Sequence, residues 1–236
     1  SHAASEVTAK GGNAIDSRIV KIRCDQNFHR LTVLYHGSNV SPKRAKIAVM
    51  KLFFDARYIE TSLHNGISHY STEMARALAP LHEDTTFIIC DDKQKELLPA
   101  TAKTIRIHKP TSLKEPFTAF VLNKYHPDIV FSPMQTMGSL GRRFGLILTL
   151  HDLIYYHYRI PPHQFNWFIR LGWRLYHATY IPQRLTLNHA DSIATVSNTS
   201  KQEIEAVHLT KRPIIVTYNA PQNLSALLDE PCAPIK

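Results

Sequence analysis

From Met50 onward, short apolar runs alternate with segments whose apolar positions recur every three or four residues. The strand-length runs fall at 52–55, 87–90, 104–107, 129–131, 146–150, 193–196 and 214–217. Most are continuously apolar rather than alternating, as expected for strands covered on both faces. Between the first two, Ile67, Tyr70, Met74, Ala77, Leu78 and Leu81 step by three and four, which predicts an amphipathic helix. Further helices are predicted over 93–98, 113–125, 164–188 and 199–209. Ser197 or Asn198 would cap the last of these. Pro182 should break or kink the long one in its C-terminal third. Strand–helix alternation repeated this often predicts an α/β fold. The expected architecture is a Rossmann-like, doubly wound parallel sheet of about seven strands.

In such sheets ligands sit beyond the carboxyl ends of the strands, so the residues just after each run are the candidates for chemistry. Gly66 stands at a predicted helix start, where unpaired N–H groups and the helix dipole favour a phosphate or carboxylate. A tight strand-to-helix turn would explain the same glycine, and the loop does not match a G-x-G-x-x-G dinucleotide fingerprint. His151 and Asp152 follow the run 146–150. An imidazole there can bond a substrate hydroxyl, with the carboxylate orienting it or raising its pKa. In the plainer alternative, His151 bonds only backbone and Asp152 caps the next turn. The remaining histidines are scattered without an H-E-x-x-H pair, so no metal site is expected.

Residues 151–180 are rich in Trp, Tyr and Arg. Phe165, Phe168, Ile169, Leu171, Leu175 and Tyr176 would cover a broad face of the long helix. For most of its length this reads as a core helix with snorkelling arginines. Its start carries a second reading, contact with a lipid headgroup.

Residues 1–49 differ from the rest. They begin with a Ser-, Ala-, Thr- and Gly-rich stretch, hold one alternating run at 31–36, and end in the basic patch Pro42 to Lys46. They are expected to form a basic extension, poorly ordered or added by fusion, with the main domain beginning at Met50. Of the formal charge of +9, residues 1–49 contribute more than half. The remainder is mild, and no nucleic-acid motif accompanies it, so nucleic-acid binding is disfavoured. No apolar run reaches the length of a membrane span. The three cysteines are far apart, which fits a reduced, cytoplasmic compartment.

Four segments in order carry a resemblance: LFFDARYI followed by HNGISHYSTEMARALA, then LTLHDLIYY, then NHADSIATVSNTSKQEI, and finally IIVTYNAP. Over residues 50–221 the chain resembles family 4 glycosyltransferases of the GT-B fold, in their N-terminal half. The resemblance implies two Rossmann-like domains facing a cleft, the N-terminal one binding the acceptor and the other most of a nucleotide-sugar donor. It implies retention of anomeric configuration without a metal or other cofactor. Carried over by position, Gly66 approaches the donor phosphates or the acceptor, and His151 lies near the transferred sugar with Asp152 supporting it. Asn65 and Tyr70 shape the acceptor pocket, while Ser197 and Asn219 are structural. The acceptor would be a cell-envelope glycan or glycolipid, with peripheral contact to the inner face of the plasma membrane. Two departures stand out. Asn65 and Ala220 replace glycines usual in the family, and residues 222–236, a tail or interdomain linker, leave no room for the donor-binding motifs. The expectation is therefore an acceptor-binding half with little turnover unless a C-terminal donor domain is supplied. The alternative is a non-catalytic module binding sugar, phosphate or a membrane surface.

Overall fold

The computed structural model describes residues 6–9, 19–24, 31–36, 50–62, 65–161 and 166–220. In the N-terminal stretch, β1 (Glu6–Ala9), β2 (Ile19–Cys24) and β3 (Leu31–His36) pair antiparallel in the order β1-β2-β3. The alternating run at 31–36 is β3, whereas β1 and β2 were not foreseen. The expectations for the rest of residues 1–49 and for the tail 222–236 lie outside the described residues.

Seven strands form the main sheet: β4 (Leu52–Asp55), β5 (Thr86–Ile89), β6 (Lys103–Arg106), β7 (Ile129–Ser132), β8 (Gly145–Thr149), β9 (Ser192–Thr195) and β10 (Ile214–Val216). Their order is β10-β9-β8-β7-β4-β5-β6, and every pairing is parallel. Each expected run is a strand, with ends displaced by a residue or so. Burial explains why the runs are continuously apolar. Phe53 packs into the core on one face of the sheet with Val130, Leu146, Leu148 and Ile193. Its neighbours Leu52 and Phe54 pack into the core on the other face with Phe87, Ile89 and Phe131. Helix α1 (Gly66–Leu81) buries Ala75 on the Phe54 side. Helices α2 (Thr118–Leu122), α5 (Ile181–Asn188) and α6 (Asn198–Ala206) cover the Phe53 side with Leu122, Leu187 and Ile204.

Several helical expectations need correction. The segment 113–125 is a 3-10 turn (Glu115–Phe117), α2 and a second 3-10 turn (Asn123–Tyr125). The segment 93–98 is the 3-10 helix Asp92–Leu97. A short helix, α3 (Ile154–His157), was not anticipated. The long helix 164–188 is two, α4 (Trp167–Ala178) and α5, separated at Thr179 and Tyr180. Pro182 lies in the first turn of α5, where a missing N–H has no intrahelical partner to lose, so the break falls before it. Nor is α4 a core helix, because Phe168, Ile169, Leu171 and Leu175 are exposed. Phe165 lies outside the described residues.

At the carboxyl end of β4 the chain turns through Ala56–Tyr58, and this turn is clamped from two sides. Gln94 is buried and donates from Nε2 to the carbonyls of Ala56, Arg57 and Ile59 at 3.2, 3.2 and 2.7 Å. The Arg57 side chain is fully buried. Its Nε donates to Asp55 Oδ1 at 2.7 Å, and Nη1 donates to Glu115 Oε2 at 2.7 Å. Its Nη2 reaches Asp55 Oδ2 and Glu115 Oε1 at 2.9 and 3.1 Å. Burial by itself would lower the guanidinium pKa, but the Asp55 and Glu115 carboxylates more than reverse this and hold it charged. Gly138 completes the arrangement. A Cβ there would lie 1.7 Å from the Glu115 carbonyl oxygen, so only glycine permits the approach.

Removing one member of a buried ion pair leaves an uncompensated charge. Arg57→Leu is therefore expected to cost about 3–5 kcal/mol in urea unfolding. A loss below about 1 kcal/mol would show that the clamp does not hold the turn.

Candidate functional site

The order of the parallel strands reverses between β4 and β7, and in open α/β sheets ligands bind in the crevice beyond the carboxyl ends of the strands at such a switch point. Asp55 ends β4 and Ser132 ends β7. Ser132 Oγ donates to Asp55 Oδ2 at 3.3 Å, and Thr149 Oγ1, at the end of β8, donates to the Ser132 carbonyl at 2.8 Å. These groups are buried and form the floor of the crevice. Above them Tyr58 donates its hydroxyl to the Thr136 carbonyl at 2.9 Å, tying the loop after β4 to the loop after β7. Burial, then the charge of Asp55, pushes the Tyr58 phenol well above its ordinary range, so it stays a neutral donor.

The first turn of α1 forms one wall. Asn65 is its N-cap, with Oδ1 accepting from the Ser68 amide at 2.8 Å and Nδ2 donating to Glu60 Oε1 at 3.0 Å. The Asn65 carbonyl accepts from the His69 amide. The amides of Gly66 and Ile67 make no hydrogen bond among the described residues, as is usual at a helix start. Among the described residues, beyond its chain neighbours and its own helix backbone, Gly66 has no atom within 4 Å of where a Cβ would stand, and its φ is not left-handed. Among the described residues, neither packing nor backbone conformation requires glycine there.

One helical turn further on, Tyr70 meets His151. The two rings are edge to face, with centroids 5.0 Å apart and planes at 81°. The Tyr70 hydroxyl and Thr217 Oγ1, just past β10, are 2.9 Å apart. Burial raises the Tyr70 phenol pKa, opposed by hydrogen bonds to the hydroxyls of Thr217 and Thr149. His151 Nε2 lies 2.9 Å from the Pro133 carbonyl oxygen. A carbonyl only accepts, so Nε2 carries the proton and Nδ1 keeps its lone pair. Burial lowers the His151 pKa, against smaller raising effects from the Pro133 carbonyl and the charge of Asp152. The imidazole is therefore neutral near pH 7.

Of the five sequence-predicted site residues, Tyr70 and His151 are in contact, and Asn65 and Gly66 lie about one turn before Tyr70 at the start of α1. Asp152 is adjacent but exposed, and its Oδ1 accepts from the Ile154 amide at 3.0 Å in a turn leading into α3. It reaches His151 through its charge and makes no hydrogen bond to the ring. Ser197 caps α6 by accepting from the Ser200 amide at 3.0 Å, and Asn219 is exposed. Sequence reasoning missed the Asp55–Arg57–Glu115 clamp, Tyr58 and Thr217. Asp55 and Arg57 were visible as a pair at a strand end, but nothing in the chain pointed to Glu115. Among the described residues no three His, Cys, Asp or Glu side chains stand close enough to hold a metal ion. No described helix is long and apolar enough to cross a membrane.

A doubly wound parallel sheet with its crevice at the reversal of strand order is a Rossmann-like α/β fold, consistent with one half of a GT-B architecture. The model of Glycosyltransferase Family 4 matches residues 64–220, from the start of α1 to just past β10, and the chain belongs to that family. No curated protein matches the sequence.

His151 and His177 both have pKa values lowered by burial, so below about pH 6.5 the unfolded chain binds protons that the folded chain does not. Stability is full above that pH and is lost as pH falls through the folded-state values. His151→Gln should flatten the fall in urea stability between about pH 7.5 and about pH 5.5, leaving the share of His177. An unchanged slope would show that His151 is not held neutral.

Proposed function

We propose that residues 50–220 are the acceptor-binding half of a retaining glycosyltransferase, which passes a sugar from a nucleotide-sugar donor to a cell-envelope glycan or glycolipid. The single observation that carries this reading is the meeting of a helix start left open at Gly66 with a neutral imidazole at the end of β8, joined through Tyr70. The Gly66 and Ile67 amides would receive an anionic or hydroxyl group of the acceptor or the donor phosphate. Nδ1 of His151 would accept a hydrogen bond from a sugar hydroxyl. Tyr70 would hold the ring in place, Asn65 would border the acceptor, and Asp152 would favour any positive charge that develops on the imidazole.

In retaining transfer the bond from the anomeric carbon to the donor diphosphate breaks, the acceptor oxygen bonds to the same face of the sugar, and its hydroxyl proton passes to the departing diphosphate. The negative charge gathering on the departing diphosphate needs positive groups beside it. Arg57 is buried and already engaged by two carboxylates, so it does not serve. In this reading a second, donor-binding domain closes over the crown and supplies that charge, and turnover depends on it.

The acceptor role is tested by calorimetric titration with soluble short-chain phosphoglycolipids and, separately, with nucleotide sugars. Measurable glycolipid binding and weak nucleotide-sugar binding are expected. Gly66→Val should weaken glycolipid binding about tenfold or more while leaving the melting temperature unchanged, because no atom within 4 Å opposes the new Cβ. Tight nucleotide-sugar binding without glycolipid binding would overturn the assignment. So would rapid sugar transfer by residues 1–236 with no second domain present.

A further inference from the structure

Helix α4 has two apolar sides and only one is packed. On the inner side Trp173 meets the Tyr155 ring of α3 edge-on at 5.4 Å, and His177 lies against Tyr155 and Tyr156. His177 is buried, while Trp173 and Tyr176 are half-buried. At 100° per residue, Trp167, Phe168, Leu171 and Leu175 fall together on the opposite side. They are 65%, 66%, 48% and 67% exposed, values unusual for four large apolar side chains on three helical turns. Isolated exposed apolar residues need no explanation, but a continuous stripe does.

The charge around the stripe identifies what covers it. From Leu153 to Ala190 there is not one Asp or Glu, whereas four arginines occur. Arg174 is exposed beside the stripe and Arg170 is half-exposed one turn earlier. Arg159 is exposed on the segment leading toward α4. An apolar stripe with aromatic residues at its start, bordered by cations and free of acids, matches a helix lying in the headgroup region of an anionic bilayer. At 12 residues α4 is too short to span a membrane, and it has a packed inner side to keep it on the protein.

We propose that the exposed stripe of α4 seats this chain on an anionic lipid bilayer. Trp167, Phe168, Leu171 and Leu175 enter the headgroup–acyl boundary, and Arg170 and Arg174 meet lipid phosphates. The lipid surface itself is the ligand, so the inference stands independently of the transferase reading.

The test is flotation of the full chain with vesicles of phosphatidylcholine alone or containing about a quarter phosphatidylglycerol, none bearing glycan. Binding is expected on the anionic vesicles, weakening as salt rises from about 50 to about 500 mM, with a blue shift of tryptophan emission. Phe168→Glu/Leu175→Glu and, separately, Arg170→Glu/Arg174→Glu should each reduce binding about tenfold or more with unchanged circular dichroism. Equal recovery on neutral and anionic vesicles would overturn the proposal, as would anionic binding that neither double variant reduces. A salt-resistant dimer lost in Phe168→Glu/Leu175→Glu, with no vesicle binding by the parent chain, would assign the stripe to a second copy and also overturn it.

Discussion

The crown of this sheet depends on one buried cation. Where strand order reverses, the flanking connections leave to opposite sides and open a gap between them. The gap is held by Arg57, which joins the end of β4 to the segment before α2 through Asp55 and Glu115. Glu115 Oε1 also accepts from the Gly138 amide, so the same clamp draws in the loop after β7. A buried ion pair is a weak source of net stability, because desolvation offsets most of the attraction. Its value here lies in direction. A guanidinium has five donors in a rigid plane, and with two carboxylates around it the plane admits one arrangement of three chain segments. Oily packing would bring those segments together without fixing their orientation.

With the floor fixed, the groups around the crevice fall into two kinds. Asn65, Ser197 and Asp152 each satisfy a backbone amide at the start of a helix or turn, and those bonds account for their presence. Gly66 and His151 are not explained so fully from within. Among the described residues nothing steric or conformational demands the glycine, and the imidazole uses one nitrogen on Pro133 and leaves the other with its lone pair. Tyr70 stands between the two kinds. Its hydroxyl is spent on Thr217 and its ring on His151, so it transmits the position of β10 to the imidazole. Polar groups that the fold itself does not consume are where a ligand finds partners.

What the chain disclosed before its structure was known follows from the range of the interactions involved. The five inner strands of the main sheet were legible because burial on both faces favours an apolar run that needs no knowledge of partners, while the edge strands β6 and β10, only partly buried, were legible from the strand–helix alternation around them. The place of His151 just past β8 was legible from the apolar run before it, and that of Gly66 at the start of α1 from the helical spacing after it. Arg57 was not, since its second carboxylate lies 58 positions away and no local pattern joins Arg57 to Glu115. The long helix was misjudged for a different reason. Trp, Phe and Leu at helical spacing look the same whether the stripe faces a core or the outside, and periodicity reports only that a stripe exists. The break before Pro182 shows the same limit, for the proline signalled a boundary but not which side of it would be helical.

The exposed side of α4 and the crown are not independent places. Only Asp152 and Leu153 separate His151 from α3, and α3 holds α4 through Tyr155 against Trp173. A surface that rests on lipid through α4 therefore fixes the height and tilt of the end of β8 relative to the bilayer. A glycan carried on a lipid projects from the same boundary, with its sugar a short distance above the phosphates. Binding a substrate tethered in two dimensions is favoured when the site is tethered there as well, because the encounter no longer spends the translational freedom of a search through solution. The acid-free stretch from Leu153 to Ala190 holds four arginines, so it carries much of the modest basicity of residues 50–236. The positive charge is concentrated where a lipid surface would be met, whereas the charges of Asp55, Arg57 and Glu115 in the crown are spent on one another.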